Sequence, residues 1–176
     1  LPLWHGCSAA VADEIMSKGP AYLAKTDDGL FGAGIYLTPQ PEYAAGYASG
    51  VIKPPSQQVE EETGEFTLLL CAVCVGSVYP ITRAADYPAH GKASKFKGKP
   101  LHSGCDAHHA LVDSSTSWQA AKTATPLQHH FEEIVVAQEA QVLPIAKVSV
   151  KVDIAQLSQF LKAYPAKSLS QSQSQP

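Results

Sequence analysis

No stretch of this 176-residue sequence comes near the roughly 20 consecutive apolar residues that a membrane helix needs, and no charged-then-apolar leader precedes its first apolar run. The chain reads as soluble, and its abrupt start on that run suggests a piece of something longer. A basic excess is missing too: 13 Lys and Arg stand against 16 Asp and Glu, a net charge of −3. A phosphate-binding face normally carries a basic surplus or stripe, so nucleic acid is not indicated as a partner. The one basic cluster, Lys92, Lys95, Lys97 and Lys99, sits among Gly and Pro and reads as a solvated loop. Cysteine is scarce. Cys7, Cys71, Cys74 and Cys105 form no dense disulfide framework, which favours a reduced, intracellular setting, nuclear or cytoplasmic. Charged residues are also few, at 16%, against 45% apolar, a globular rather than a disordered balance. The length suits one domain.

What is present reads as short strands that outnumber the helices. "LPLWHGCS" is an apolar strand, after which Ser8 can cap a helix with Val11, Ile15 and Met16 on one face and Gly19-Pro20 as its stop. A glycine-containing loop with "KTDDG" leads into the strand "GIYLT" and then the helix "PEYAAGYA", with Pro41 near its start. Val51 to Glu65, with Pro54, Pro55 and the run Glu60 to Glu62, is an expected exposed connection. "FTLLLCAVCVGSVYPI" reads as one strand, apolar on both faces and central to the sheet. Between Arg83 and His130 only "HALVD" suggests a strand; "EEIVVAQ" and "IAKVSVKV" are two more, and "IAQLSQFLKAY" a closing helix. Strands near both ends must meet in one sheet, and strict strand-helix alternation is absent, so the class is α+β. A domain over 1–164 is expected, followed by a low-complexity, disordered tail over 165–176.

Most isolated signals for chemistry are weak. "CAVC" has metal-ligand spacing, but residues three apart on a strand face opposite ways. "HSGCDAHH" gathers His102, Cys105, His108 and His109, a donor set suited to zinc in a spacing that matches no common finger. A zinc-binding interaction domain is one alternative, although no metal is expected. Gly29, Gly32 and Gly34 lead into a strand, not a helix, so the dinucleotide-binding turn of doubly wound sheets is absent. No nucleophile elbow supports a hydrolase. A dispersed set remains: His5 at a strand end, Tyr36 at another, Tyr47 on the next helix, and Glu132 with Glu133 opening a late strand.

Taken in order, these residues resemble the catalytic domain of the poly(ADP-ribose) polymerases and their mono-ADP-ribosylating, diphtheria-toxin-like relatives. The likeness runs from Leu3 to about Val148. Family members carry "WHG" followed by Ser or Thr, where this chain reads "LWHGC". Their "FGKGIYF" corresponds to "LFGAGIYL", and their second tyrosine, eleven residues beyond the first, corresponds to Tyr47 after Tyr36. A strand like "LLLCEVALG" is matched by "LLLCAVCVG", and one like "EYIVYDIAQV" by "EIVVAQEAQV". Five fragments in the right order are specific where one is not. The last match, anchored on Ala140, Gln141 and Val142, puts the family's catalytic glutamate on Glu133 rather than Glu132.

The resemblance implies an ADP-ribosyltransferase fold, two small and mostly antiparallel sheets forming a cleft for NAD. It implies an enzyme that takes NAD as co-substrate, releases nicotinamide and transfers ADP-ribose to a protein acceptor, singly or as a chain. Its catalytic set would be Glu133, His5 and Tyr36. Glu133 would accept a hydrogen bond from the nicotinamide ribose, His5 would donate to the adenosine ribose, and the Gly6 backbone would clamp the carboxamide. Tyr47 would stack on the nicotinamide ring, with Tyr36 opposite. Two lining positions depart from the family: Cys7 follows "HG", and Ala44 stands where polymerases place a carboxamide-binding serine. Losing that bond costs on the order of 1 kcal/mol, a several-fold loss of affinity. The alternative is a catalytically weak or inactive module that binds NAD or ADP-ribose. Phe131 is not the Glu or Gln of arginine-modifying toxins, which disfavours arginine as acceptor.

Overall fold

Ser8 separates the first strand, β1 (Pro2–Cys7), from the first helix, α1 (Ala9–Lys18), and its Oγ accepts the Val11 N–H at 3.3 Å. Gly19 ends the helix at φ 82°, a conformation that favours a residue without Cβ. These features come from a computed structural model that describes residues 1–20, 29–52, 64–88, 93–113, 119–122 and 131–163. The buried face of α1 differs from the expected one. Ala12 is fully buried with Ile15 beside it, while Val11 and Met16 stand 42% and 41% exposed. A small residue at the contact lets the helix lie close to the sheet, and its longer apolar neighbours are turned outward.

β2 (Ile35–Leu37) is followed by α2 (Pro41–Ala48), where Pro41 occupies the first turn, a position that needs no N–H. The expected single strand from Phe66 to Ile81 is two: β3 (Glu65–Val73) and β4 (Val78–Ile81). The chain changes sheets between them, and there Asp106 accepts the Gly76 N–H at 3.1 Å and lies 2.5 Å from where a Cβ on that glycine would stand. Cys74 thus lies beyond the strand, exposed, and Cys71 within it, buried. A short helix, α3 (Arg83–Asp86), and β5 (Ala107–Asp113) follow, with β6 (Gln119–Ala120) beside it. The region after Arg83 therefore holds more order than "HALVD" implied. β7 (Phe131–Val136), a 3-10 turn at Glu139–Gln141, β8 (Val142–Lys151) and α4 (Ile154–Ala163) complete the fold. None of the described helices is long and apolar enough to cross a membrane.

Three strands form one antiparallel sheet in the order β1-β3-β8, so the terminal strands flank β3 and do not pair with each other. Five form the second, in the order β2-β7-β5-β4 with β6 on β5, antiparallel except for β4 and β5. This is the expected α+β architecture of two small, mostly antiparallel sheets. Alternation along the strands divides the core in two. Phe66, Leu68, Ala110, Val112, Phe131 and Val135 pack with α2 and α4; Leu3, Leu69, Ala107, Ile134 and Val136 pack with α1. Ile52, inside the expected exposed connection, is 2% exposed and fills the first cluster. Most of "KTDDG", Glu60 to Glu62, Lys92 and the tail from Pro165 fall outside the described residues.

Candidate active site at the parting of the sheets

Among the described residues, the two sheets bridge edge to edge at one place. Trp4 and Thr38 exchange backbone hydrogen bonds, at 2.7 and 2.9 Å, between β1 and β2. An antiparallel ladder continued from there would pair Gly6 with Tyr36, but no such bridge forms. Instead His5 Nδ1–H donates to the Tyr36 carbonyl at 2.9 Å. Since Trp4 directs its N–H and C=O away from β3, alternation sends those of Gly6 to the same edge, where the sheets have parted. Gly6 is also a packing requirement: a Cβ there would lie 2.0 Å from the Ala44 carbonyl oxygen, so α2 crosses β1 at a distance only glycine permits. Ala44 itself is buried in the first core cluster.

Alternation places His5 and Cys7 on the face opposite Gly6. Burial lowers the His5 pKa below its ordinary value, only partly opposed by the bond to Tyr36. The ring is therefore neutral near pH 7. With its proton on Nδ1, its Nε2 carries a lone pair that can accept from a hydroxyl. The Cys7 thiol packs against the second core cluster, and burial pushes its pKa to about 11, with Cys71 adding to the rise and Lys147 opposing it. It stays a protonated thiol.

Tyr36 is anchored at both ends. Its hydroxyl accepts the Phe31 N–H at 2.9 Å and donates to the Gly32 carbonyl at 2.7 Å, folding the loop that precedes β2 against its own ring. Gly29 leaves room for this, because a Cβ there would sit 2.6 Å from the phenol oxygen. A buried histidine supports the same loop: His108 donates from Nδ1 to the Phe31 carbonyl at 2.6 Å and accepts the His102 N–H on Nε2 at 2.7 Å.

Glu133 is 4% exposed at the centre of this arrangement. Tyr47, one turn beyond Tyr43 on α2, donates its hydroxyl to Glu133 Oε1 at 2.7 Å. Tyr43 donates to the same oxygen at 2.5 Å, and the two hydroxyls lie 3.2 Å apart. Burial, then the adjacent carboxylate, raises the pKa of both phenols well above its usual value, so both remain donors at neutral pH. Glu132, the next residue, faces the other way and pairs with His109 at 2.9 Å.

The structure thus gathers Gly6, Tyr36, Ala44, Tyr47 and Glu133 on one side of the seam, joins His5 to them through Tyr36, and turns the Cys7 side chain elsewhere. Sequence reasoning missed Tyr43. Its signal was the i, i+4 spacing to Tyr47, which puts both rings on one helix face. The histidine loop disperses: His108 is internal, His109 pairs with Glu132, and His102 stacks on Tyr79 with ring centroids 4.3 Å apart.

A divided α+β domain with a buried carboxylate beside the division has the ADP-ribosyltransferase fold. The family model of the poly(ADP-ribose) polymerase catalytic domain matches residues 2–145, and the chain belongs to that family, whose substrate is NAD. The match ends within β8, so α4 lies beyond it. None of the curated proteins compared matches the chain significantly.

Proposed function

We propose that this domain cleaves NAD, releases nicotinamide and transfers ADP-ribose to a protein or other macromolecular acceptor. The observation that carries the reading is the Glu133 carboxylate, shielded from water and held by two phenols beside the seam. When nicotinamide leaves, the bond between its nitrogen and ribose C1′ breaks. The electron pair goes to that nitrogen and cancels its charge, while positive charge develops on C1′ and the ring oxygen. A carboxylate already fixed in a dry setting stabilises that charge with little reorganisation, and accepts the ribose 2′-hydroxyl proton as a hydrogen bond. The acceptor's nucleophile then bonds C1′ and gives up its proton to water.

Other residues fit the same substrate. The N–H and C=O of Gly6, directed to the open edge, form a donor and acceptor pair complementary to a carboxamide. The lone pair on His5 Nε2 suits a ribose hydroxyl. The ring of Tyr36, immobilised at its hydroxyl, offers a fixed wall, and the partly exposed Tyr47 a second aromatic surface for a cationic ring.

Incubation with NAD labelled in its adenylate half tests the reading. Transfer requires label on protein together with released nicotinamide. NAD bound in calorimetry, with no nicotinamide freed and no label moved, means a binding module instead, the reading that Ala44 favours because no hydroxyl stands there. Product size on a gel then separates a single ADP-ribose from a chain.

A further inference from the structure

We propose that Tyr43 is a positioning residue for Glu133, its hydroxyl fixing the carboxylate while its ring stays out of reach of substrate; the proposal rests on Glu133 being the reacting carboxylate. Two phenols meet one oxygen, but their settings differ. Tyr47 is partly exposed, so its ring is available to a ligand. Tyr43 is 0% exposed. Its ring stacks on Phe131, with centroids 4.6 Å apart and planes 12° apart, and meets Tyr47 edge to face at 5.3 Å. Phe131 is braced in turn by Phe160 of α4. Phe131 and Glu133 share one face of β7, so the ring that carries the donor is fixed to the strand that carries the acceptor. A ligand that moves Tyr47 leaves this second hold on Oε1 in place.

A donor to a carboxylate favours its ionised form, so removing the donor raises the carboxyl pKa. Among the described residues, the charged and titratable groups coupled to this carboxylate include Tyr43 and Tyr47 of α2 and Tyr87 after α3, with Arg83 beside Tyr87. The three phenols have raised pKa values and the guanidinium is permanently charged, so none of them changes state below about pH 9. Following the Glu133 carboxyl carbon itself assigns an acid-range titration to that group.

The experiment compares the native chain with Tyr43→Phe, which keeps the stacked ring and removes only the hydroxyl. NMR titration of the Glu133 carboxyl carbon needs no turnover; its midpoint should rise by about one pH unit in the variant. In NAD cleavage, kcat should fall about tenfold with KM for NAD within about twofold, and the acid limb of kcat should move up by the same unit. An unchanged Glu133 midpoint overturns the proposal, even if kcat falls, because a merely structural loss would do that. A shifted midpoint in a protein that cleaves no NAD upholds the positioning and sinks the transferase reading. If Tyr43→Phe does not fold, a fluorinated tyrosine in place of Tyr43 keeps the shape with a more acidic hydroxyl. That replacement should lower the midpoint, and no change again overturns the proposal.

Discussion

Glu132 and Glu133 are neighbours on β7 with identical side chains and opposite surroundings. Glu133 turns toward the cluster under α2, is almost wholly buried and receives two phenol hydroxyls on one oxygen. Glu132 turns to the other face, where its side chain is 38% exposed and meets His109 in an ion pair that exists only when the ring is protonated. The strand's period of two thus separates a fixed, dry carboxylate from a solvated one. Only the first is suited to stabilising charge on a bound substrate, because water around the second would screen it.

Replacing each glutamate by glutamine tests that contrast directly. Glu133→Gln should lower NAD cleavage by about a hundredfold or more while leaving NAD binding measurable by calorimetry. Glu132→Gln should leave the rate within about twofold. Equal losses in the two variants would mean that the side of the strand does not decide the role.

The second largest effect should be on folding. Gly6 and Gly19 contrast two uses of the same residue: a Cβ on Gly6 meets the Ala44 carbonyl, whereas one on Gly19 meets nothing within 4 Å and is opposed only by its φ of 82°. Gly6→Ala should therefore destabilise by about 2 to 3 kcal/mol as α2 is pushed off β1. Gly19→Ala should cost about 1 kcal/mol. Urea unfolding of both variants checks the order.

Several features were legible in the sequence because their causes are local. Ser8 and Gly19 mark the ends of α1, Pro41 the start of α2, and the resemblance brought His5, Tyr36, Tyr47 and Glu133 together from fragments far apart in the chain. What escaped had distant causes. Nothing near Gly76 announces that its N–H is met by Asp106, 30 residues on, where the chain leaves β3 for the second sheet. Tyr43 escaped because its partner lies 90 residues away. The face of α1 was misjudged because amphipathic spacing counts large apolar residues, whereas close packing on the sheet selected Ala12. In the sequence His108 stands only as one of four possible zinc donors, yet β5 begins at Ala107 and buries it completely.

That burial gives a third, smaller effect, tied to pH. His108 and His5 both have pKa values lowered mainly by burial, so both are neutral in the fold. The unfolded chain binds protons near the ordinary histidine value, about 6.5, before the folded one does. Their contribution is therefore complete above that pH and declines as the pH falls below it toward the folded values. Each group can remove up to about 1.4 kcal/mol per pH unit in that window. Melting temperature should drop between about pH 7 and 5, and the drop should be shallower in His108→Asn, which retains a donor for the Phe31 carbonyl but cannot take up a proton.

The smallest effect belongs to the exposed side of the comparison. The His109 and Glu132 side chains are 30% and 38% exposed, so their attraction is screened and partly offset by the ordering of both groups. His109→Ala should change stability by no more than about 0.5 kcal/mol near neutral pH. A double-mutant cycle with Glu132→Gln, followed by urea unfolding at two pH values, reads this coupling. A large coupling at neutral pH would mean that the outer face of β7 is as rigid and dry as the inner one, and the distinction between the two glutamates would have to rest on Tyr43 and Tyr47 alone.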